Sequence, residues 1–425
     1  MREILQTLKL RCAVTAFATV LALPTQAQVL QDWVSVEPGA HGEMMALDND
    51  NNAYVAASTP WSTMLIAKYG ASATPLWQRV FDNPGTREQS SWITVDATGN
   101  AIVTGYIIGG DGGSANGLIV LKYSPQGSLL WQDVIRSAFG YSAQARTDAA
   151  GNVYVVGRAA NPNHGASGGV IGLVAIKYAP DGTRQWLRHF GLAHVSTDAP
   201  ASMRVTPTGN LIVIGGTSGH MVLTAFDPSG NLISSKTVAA SPGDLAFGPT
   251  GEFYVVGGPH SRPAANAFLV IKQDANLNEL WRKTYDVGPW GWRVAVDSQG
   301  NAIVTGVTGD KRLDWMTIKL DPNGTLLWSR RYDRHAFSDE IPFSIVIGPD
   351  DSVYITGQGG PGPASGKRGD LGTVTVKYAA DGTERWTAST FASDRGLSVK
   401  LGSDNSVFVV GESPLSLLRY TQVAR

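Results

Sequence analysis

Arg146, Arg204, Arg293 and Lys400 occupy one kind of local position in four separate stretches of the chain. Each stands two or four residues ahead of a tight turn, in "ARTDAAGN", "RVTPTGN", "RVAVDSQGN" and "KLGSDNS". Side chains alternate along a strand, so even spacings from the turn put these residues on the same face. Strands arranged around a common axis would bring the four cations together. Convergent cations raise the local anion concentration and hold a carboxylate or phosphate through charge-assisted hydrogen bonds. Equivalent positions hold one acid, Asp244, and Trp92, Thr94, Gln144, Ser202, Ser344 and Ser398 fill most of the rest. The competing reading is a wet channel that tolerates any polar residue.

Other chemistries find less support. His41, His164, His194, His220, His260 and His335 fall in expected loops and His189 on an expected strand, with no ligand-like spacing between any pair. Asp48-x-Asp50-x-Asn52 resembles the start of a calcium loop but has Ala53 where glycine and Thr59 where glutamate are needed. Gly366-Lys367 lacks the earlier glycine and following hydroxyl of a phosphate loop, and Arg368-Gly369-Asp370 sits in a Gly-rich loop where chance explains it. No G-x-S-x-G elbow occurs, and the adjacent acids Asp339 and Glu340 define no catalytic separation. We expect neither a metal site nor a cofactor.

The chain has 425 residues, among them 49 glycines and 22 prolines, with 16% charged residues. That composition favours many short strands joined by turns. The formal net charge of −1 gives no bulk attraction to nucleic acid. Arg2, Lys9 and Arg11 precede an apolar run, Cys12 to Leu23, too short to span a bilayer. Thr25 and Ala27 then suit a cleavage site, so residues 1–27 read as a signal peptide and the mature chain is expected to start near Gln28. No later stretch reads as a transmembrane segment. Cys12 is the single cysteine, so the exported protein, periplasmic or extracellular, would be held by its core without disulfides.

The elements that must position the four cations come from an internal repeat. "VDATGNAIVTG" has counterparts beginning at Leu47, Thr147, Val205, Phe247, Val296, Ile347 and Leu401. Their roughly fifty-residue spacing fits units of four short strands, a to d. A "GN"-type turn joins a to b, and a "PDG" or "PNG" turn joins c to d. Trp77, Trp131, Trp186, Trp281, Trp328 and Trp386 recur at the start of strand d, with Ser234 in the fourth unit. As wedges between sheets, such rings are each worth about 2–3 kcal/mol of burial. The last unit ends after strand c, and Val29 to Pro38 supplies the missing strand, with Trp33 in the recurring slot. Head and tail would thus close one sheet and remove an open edge. The fold class is all-β: residues 28–425 form a single β-propeller domain with eight blades, or seven if one unit is degenerate.

"GNAIVTG" and "DWMTIKLDPNGTLLWSRRY" resemble the bacterial SBBP β-propeller repeats, over essentially the whole mature chain. More distantly, the Gly-to-Trp spacing is similar to the docking motif of propellers of the pyrroloquinoline quinone type. The resemblance implies a secreted or surface propeller and no single chemistry.

The a–b and c–d turns share one face and are short and uniform. The b–c and d–a loops on the opposite face are long and varied, which makes that face the expected functional one. Trp61, Trp290, Trp292 and Trp315, near those loops, are expected as natural anchors there, with core packing the alternative for some of them. The function expected is an exported binding or scaffold module, monomeric, with a protein, glycan or small anion held on the loop-rich face or at the mouth of the cationic channel. The alternative is a propeller enzyme such as a lyase, hydrolase or quinone-dependent dehydrogenase.

Overall fold

The computed structural model describes residues 29–37, 39–60, 62–109, 116–136, 143–160, 171–190, 199–217, 219–259, 266–309, 313–333, 339–359 and 372–422. They form eight antiparallel four-stranded sheets, which excludes the seven-bladed arrangement. Blade 1 runs from His41–Leu47 through Ala53–Ser58 and Met64–Tyr69 to Pro75–Phe81. The inner strands of blades 2 to 7 are Thr86–Val95, Gln144–Thr147, Ala199–Val205, Ala240–Phe247, Trp290–Val296 and Ile341–Ile347. Blade 8 takes Gly396–Leu401, Val407–Gly411 and Leu415–Gln422 from the end of the chain and Val29–Glu37 from its beginning. Trp33 pairs with Arg419 in that closing ladder. No helix among the described residues is long and apolar enough to cross a membrane.

Strands b and c are buried on both faces because each blade is covered by its two neighbours. In blade 1 every residue of Ala53–Ser58 and Met64–Tyr69 is buried. The apolar runs "AIVTG" and "LIVLKY" are the sequence form of that double burial.

The repeated Trp acts between blades, as its position requires. The indole N–H groups of Trp33, Trp77, Trp131, Trp186, Trp281 and Trp328 each donate to a backbone carbonyl in the c–d turn of the following blade, at 2.9 to 3.1 Å. For Trp77, Trp131, Trp186, Trp281 and Trp328 the ring then lies against that turn's glycine. Gly182 has φ +91° and a Cβ added there would fall 2.7 Å from the Trp131 ring. Glycine thus serves both the left-handed backbone and the close approach of the indole.

Blade 4 breaks the pattern, and blade 5 compensates. Ser234 stands where the Trp would be, and the facing turn carries Leu277 instead of glycine. Leu277 is fully buried and holds φ +65°. Its side chain joins the apolar cluster between these blades. At the closure, Trp386 faces a blade whose c and d strands come from opposite ends of the chain. Its indole N–H is buried without a partner among the described residues. The Gln422 side-chain carbonyl takes the place of a turn carbonyl, accepting from Lys377 Nζ at 2.7 Å and Tyr354 OH at 3.0 Å.

A second latch went unread in the sequence. The lysine ending strand c of most blades lies buried between two turns. Lys122 pairs with Asp96 of its own a–b turn at 3.0 Å and donates to the Pro180 carbonyl of the next blade at 3.2 Å. Lys319 repeats this with Asp297 at 2.8 Å and Ala380 at 3.0 Å. Burial works to raise the Asp96 pKa, but hydrogen bonds from Asn100, Lys122 and Thr98 outweigh it and hold the carboxyl below its ordinary value. Recurrent "KY" and "KL" ahead of the turn, with recurrent Asp at the start of "DxxGN", was the available signal.

Candidate functional site

The inner strands surround an axial channel, and each of the described ones except that of blade 3 carries a β-bulge. In blade 1 the register shifts between Gly42 and Met44, in blade 2 between Ser90 and Trp92, and in blade 4 between Pro200 and Ser202. Blades 5 to 8 shift after Pro242, Gly291, Pro342 and Gly396. A bulge inserts one residue and re-aims the strand. In every bulged blade but blade 2, which has Ser90, glycine or proline precedes the bulge; in blade 1 the preceding blade presses close, and a Cβ on Gly42 would meet the Gly411 carbonyl oxygen at 2.3 Å.

On the turn side of the bulges the alternation expected from sequence holds. Trp92, Gln144, Arg146, Ser202, Arg204, Asp244, Arg293, Ser344, Ser398 and Lys400 line one central chamber of about 170 Å³. Thr94 lines its mouth toward the short turns, together with Arg146, Arg204 and Lys400. The four cations, the acid and Trp92 are therefore brought together by the tertiary structure.

Their contacts differ. The Arg146 guanidinium stacks on the Trp92 ring, 4.4 Å from its centroid. Arg204 donates to Ser202 Oγ at 3.0 Å and approaches Asp244 Oδ1 at 3.5 Å. Arg293 donates to the Phe343 and Trp292 carbonyls at 2.8 and 3.0 Å, which tethers it to the wall. Lys400 has neither a hydrogen bond nor an ion pair among the described residues. Burial, then the charges of Arg146 and Arg204, push its ammonium down to about 8, against the pull of Asp244. Arg146 is likewise lowered, to about 9, by burial and then by Arg204. Three cations thus face one carboxylate in a confined space.

Beyond the bulges lies a wider mouth, facing the loop-rich side, lined by Glu43, Gln89, Trp92, Tyr106, Gln144, Arg293, Phe343 and Leu397. Glu43, Phe343 and Leu397 are the inserted bulge residues, which strict alternation skips. Burial, then the nearby Glu412, raises the Glu43 carboxyl to about 7, opposed by Arg395. The Phe343 ring lies 6.3 Å from that of Trp292 and beneath the Arg395 guanidinium.

Of the other residues singled out from sequence, Trp315 is a correction. It is 1% exposed, donates to the Gln358 carbonyl at 3.1 Å and packs on Tyr332, so it is core rather than an anchor. Trp290 and Trp292 are half-buried near the wide mouth, 6.4 Å apart. His41 and His220 are exposed at strand starts rather than within loops, and His189 lies on its expected strand. Trp61, His164, His194, His260, His335 and the signal segment 1–27 lie outside the described residues. The Asp48 carboxylate is occupied by its own turn, accepting from the Asp50 and Asn52 amides and pairing with Lys68 at 3.1 Å.

Fold and channel define the chain as a β-propeller with a cation-lined axis. No family model matches it, and no curated protein does. Among solved structures it is similar to the WD40 β-propeller domain of Doa1, at 11% identity and TM-score 0.51, over 93% of this chain and 98% of that one. It also matches virginiamycin B lyase from Staphylococcus aureus, at 9% identity and TM-score 0.48, over 80% and 99% of the two chains. A protein of unknown function from Bacteroides caccae matches at 13% identity and TM-score 0.37, over 66% and 94%. Likeness at these identities concerns the fold, which hosts binding and catalysis alike.

Proposed function

We propose that this protein is an exported, monomeric binding module whose ligand is a small anion held in the axial chamber. The observation that carries the reading is Lys400, an ammonium without a partner among the described residues, lining the same chamber as Arg146 and Arg204, with Asp244 the one acid among its described lining. Burying like charges together is costly, and a bound anion offsets the cost. The SBBP-like repeats and the basic-then-apolar N-terminus support export. The test is calorimetric titration with phosphate and short carboxylates at low salt. The Arg146→Ala, Arg204→Ala double variant is expected to lose at least about tenfold in affinity, as charge-assisted bonds should. Unchanged affinity would remove the reading.

A second reading is favoured by Glu43 alone. A carboxyl held near pH 7 at the mouth of a cavity has the character of a general acid or base. In that reading the propeller is an enzyme acting on the bound anion, a lyase or hydrolase. Turnover that survives Glu43→Gln would count against it.

A further inference from the structure

The chamber carries information about its ligand beyond charge. Trp92 Nε1, Gln144 Oε1 and Ser398 Oγ are buried around it and make no hydrogen bond to the described residues. Their chemistries are complementary rather than alike. An indole N–H only donates, and a hydroxyl does either. The Gln144 amide has a settled orientation: its Nε2 donates at 2.9 Å to the Ala201 carbonyl, which only accepts. Oε1 is therefore an acceptor that needs a donor. Asp244 adds a second acceptor: among the described residues its side chain is engaged only by the Leu245 amide at 2.8 Å, the Val294 amide at 3.5 Å and Arg204.

A bare anion does not match this set. Its oxygens would serve Arg146, Lys400 and the Trp92 N–H, but would leave Gln144 Oε1 without a donor and meet Asp244 as a like charge. A neutral polyol fails in the opposite sense, leaving Lys400 uncompensated. A molecule bearing both an anionic group and hydroxyls satisfies donors and acceptors together. Buried polar groups discriminate strongly, because an analogue that lacks the partner leaves them unpaired.

We infer that the ligand is a small hydroxylated anion, a hydroxy acid, sugar acid or sugar phosphate. Its charged group lies among Arg146, Arg204 and Lys400, and a hydroxyl donates to Gln144 Oε1. The inference rests on the anion-binding reading above and deepens it. The loop-side mouth extends the same chemistry outward, because Gln89 and Glu43 line it with further hydroxyl partners and Phe343 offers an apolar ring.

The test compares three six-carbon probes on the full exported chain by calorimetry: gluconate, hexanoate and sorbitol. Gluconate is expected to bind at least about tenfold more tightly than hexanoate, which has the charge without the hydroxyls, and sorbitol is expected not to bind. The Gln144→Met variant is expected to lose roughly five- to tenfold for gluconate and nothing for hexanoate. Equal affinity for gluconate and hexanoate would overturn the hydroxyl requirement and leave the anion reading standing. Binding of sorbitol as tight as that of gluconate, or of no anion at all, would overturn both. Glucose 6-phosphate against gluconate names the head group, and tighter binding of either supports the class.

Discussion

The face made of short turns and the axial channel are built from the same repeats by opposite rules. On the turn face, indole N–H groups, lysines and aspartates recur from blade to blade and nearly every one is paired. Tyr54, Tyr154 and Tyr254 add the same bond again, from strand b to a glycine carbonyl in the next blade's a–b turn. On the axis the inner-strand residues change from blade to blade, and several polar atoms have no partner among the described residues. Recurrence therefore marks what each blade needs from its neighbour. Departure from the repeat marks what no neighbour requires, which is where a ligand has room to act.

That contrast breaks most sharply if a turn-face residue is removed. Trp186→Ala is expected to destabilise the fold by about 3–5 kcal/mol in urea melts, since the ring is 7% exposed and fills the gap between blades. Its anion affinity should be unchanged; a loss there would show that the two regions are coupled. Next in size, Lys122→Met alone leaves Asp96 buried and unpaired and should cost about 3 kcal/mol or more. Adding Asp96→Asn should recover much of that loss.

The axis should respond in the reverse direction. The folded pKa of Lys400 lies near 8, below the 10.5 of the unfolded chain. Between these values the unfolded state binds more protons, so stability rises with pH from about 8 to 10.5. Lys400→Met should flatten that rise and should stabilise the protein at neutral pH, while weakening anion binding. Anion affinity of the native protein should fall as pH climbs through 8. A pH-independent affinity would mean that Lys400 does not face the ligand. The smallest effect is expected where the turn-face rule is already relaxed. Ser234→Trp and Leu277→Gly should each destabilise alone, and the pair should show a favourable coupling of about 1 kcal/mol in a double-mutant cycle.

The propeller, its repeating four-strand unit and the shared closing sheet were legible because they rest on period and turn chemistry, both local. The channel positions were legible on the turn side of each inner strand, where counting by twos from the turn works. It fails beyond the bulge, so Glu43, Phe343 and Leu397 were missed, although a Gly or Pro ahead of them recurs as the sign of the bulge. Trp315 was misplaced because its position near a loop says nothing of the neighbouring blade that covers it.

The amino-acid sequence by itself determined the repeating four-strand unit, where each unit turns and which residues recur, because strand alternation and left-handed turns are decided within a few residues; the sheets decided eight blades over seven. Only the tertiary structure decided which cations meet, which of them finds a partner and which polar atoms are left for something else. Those depend on distances across an axis between residues some sixty to two hundred and fifty positions apart in the chain, such as Arg146, Arg204 and Lys400. No local rule reaches that far.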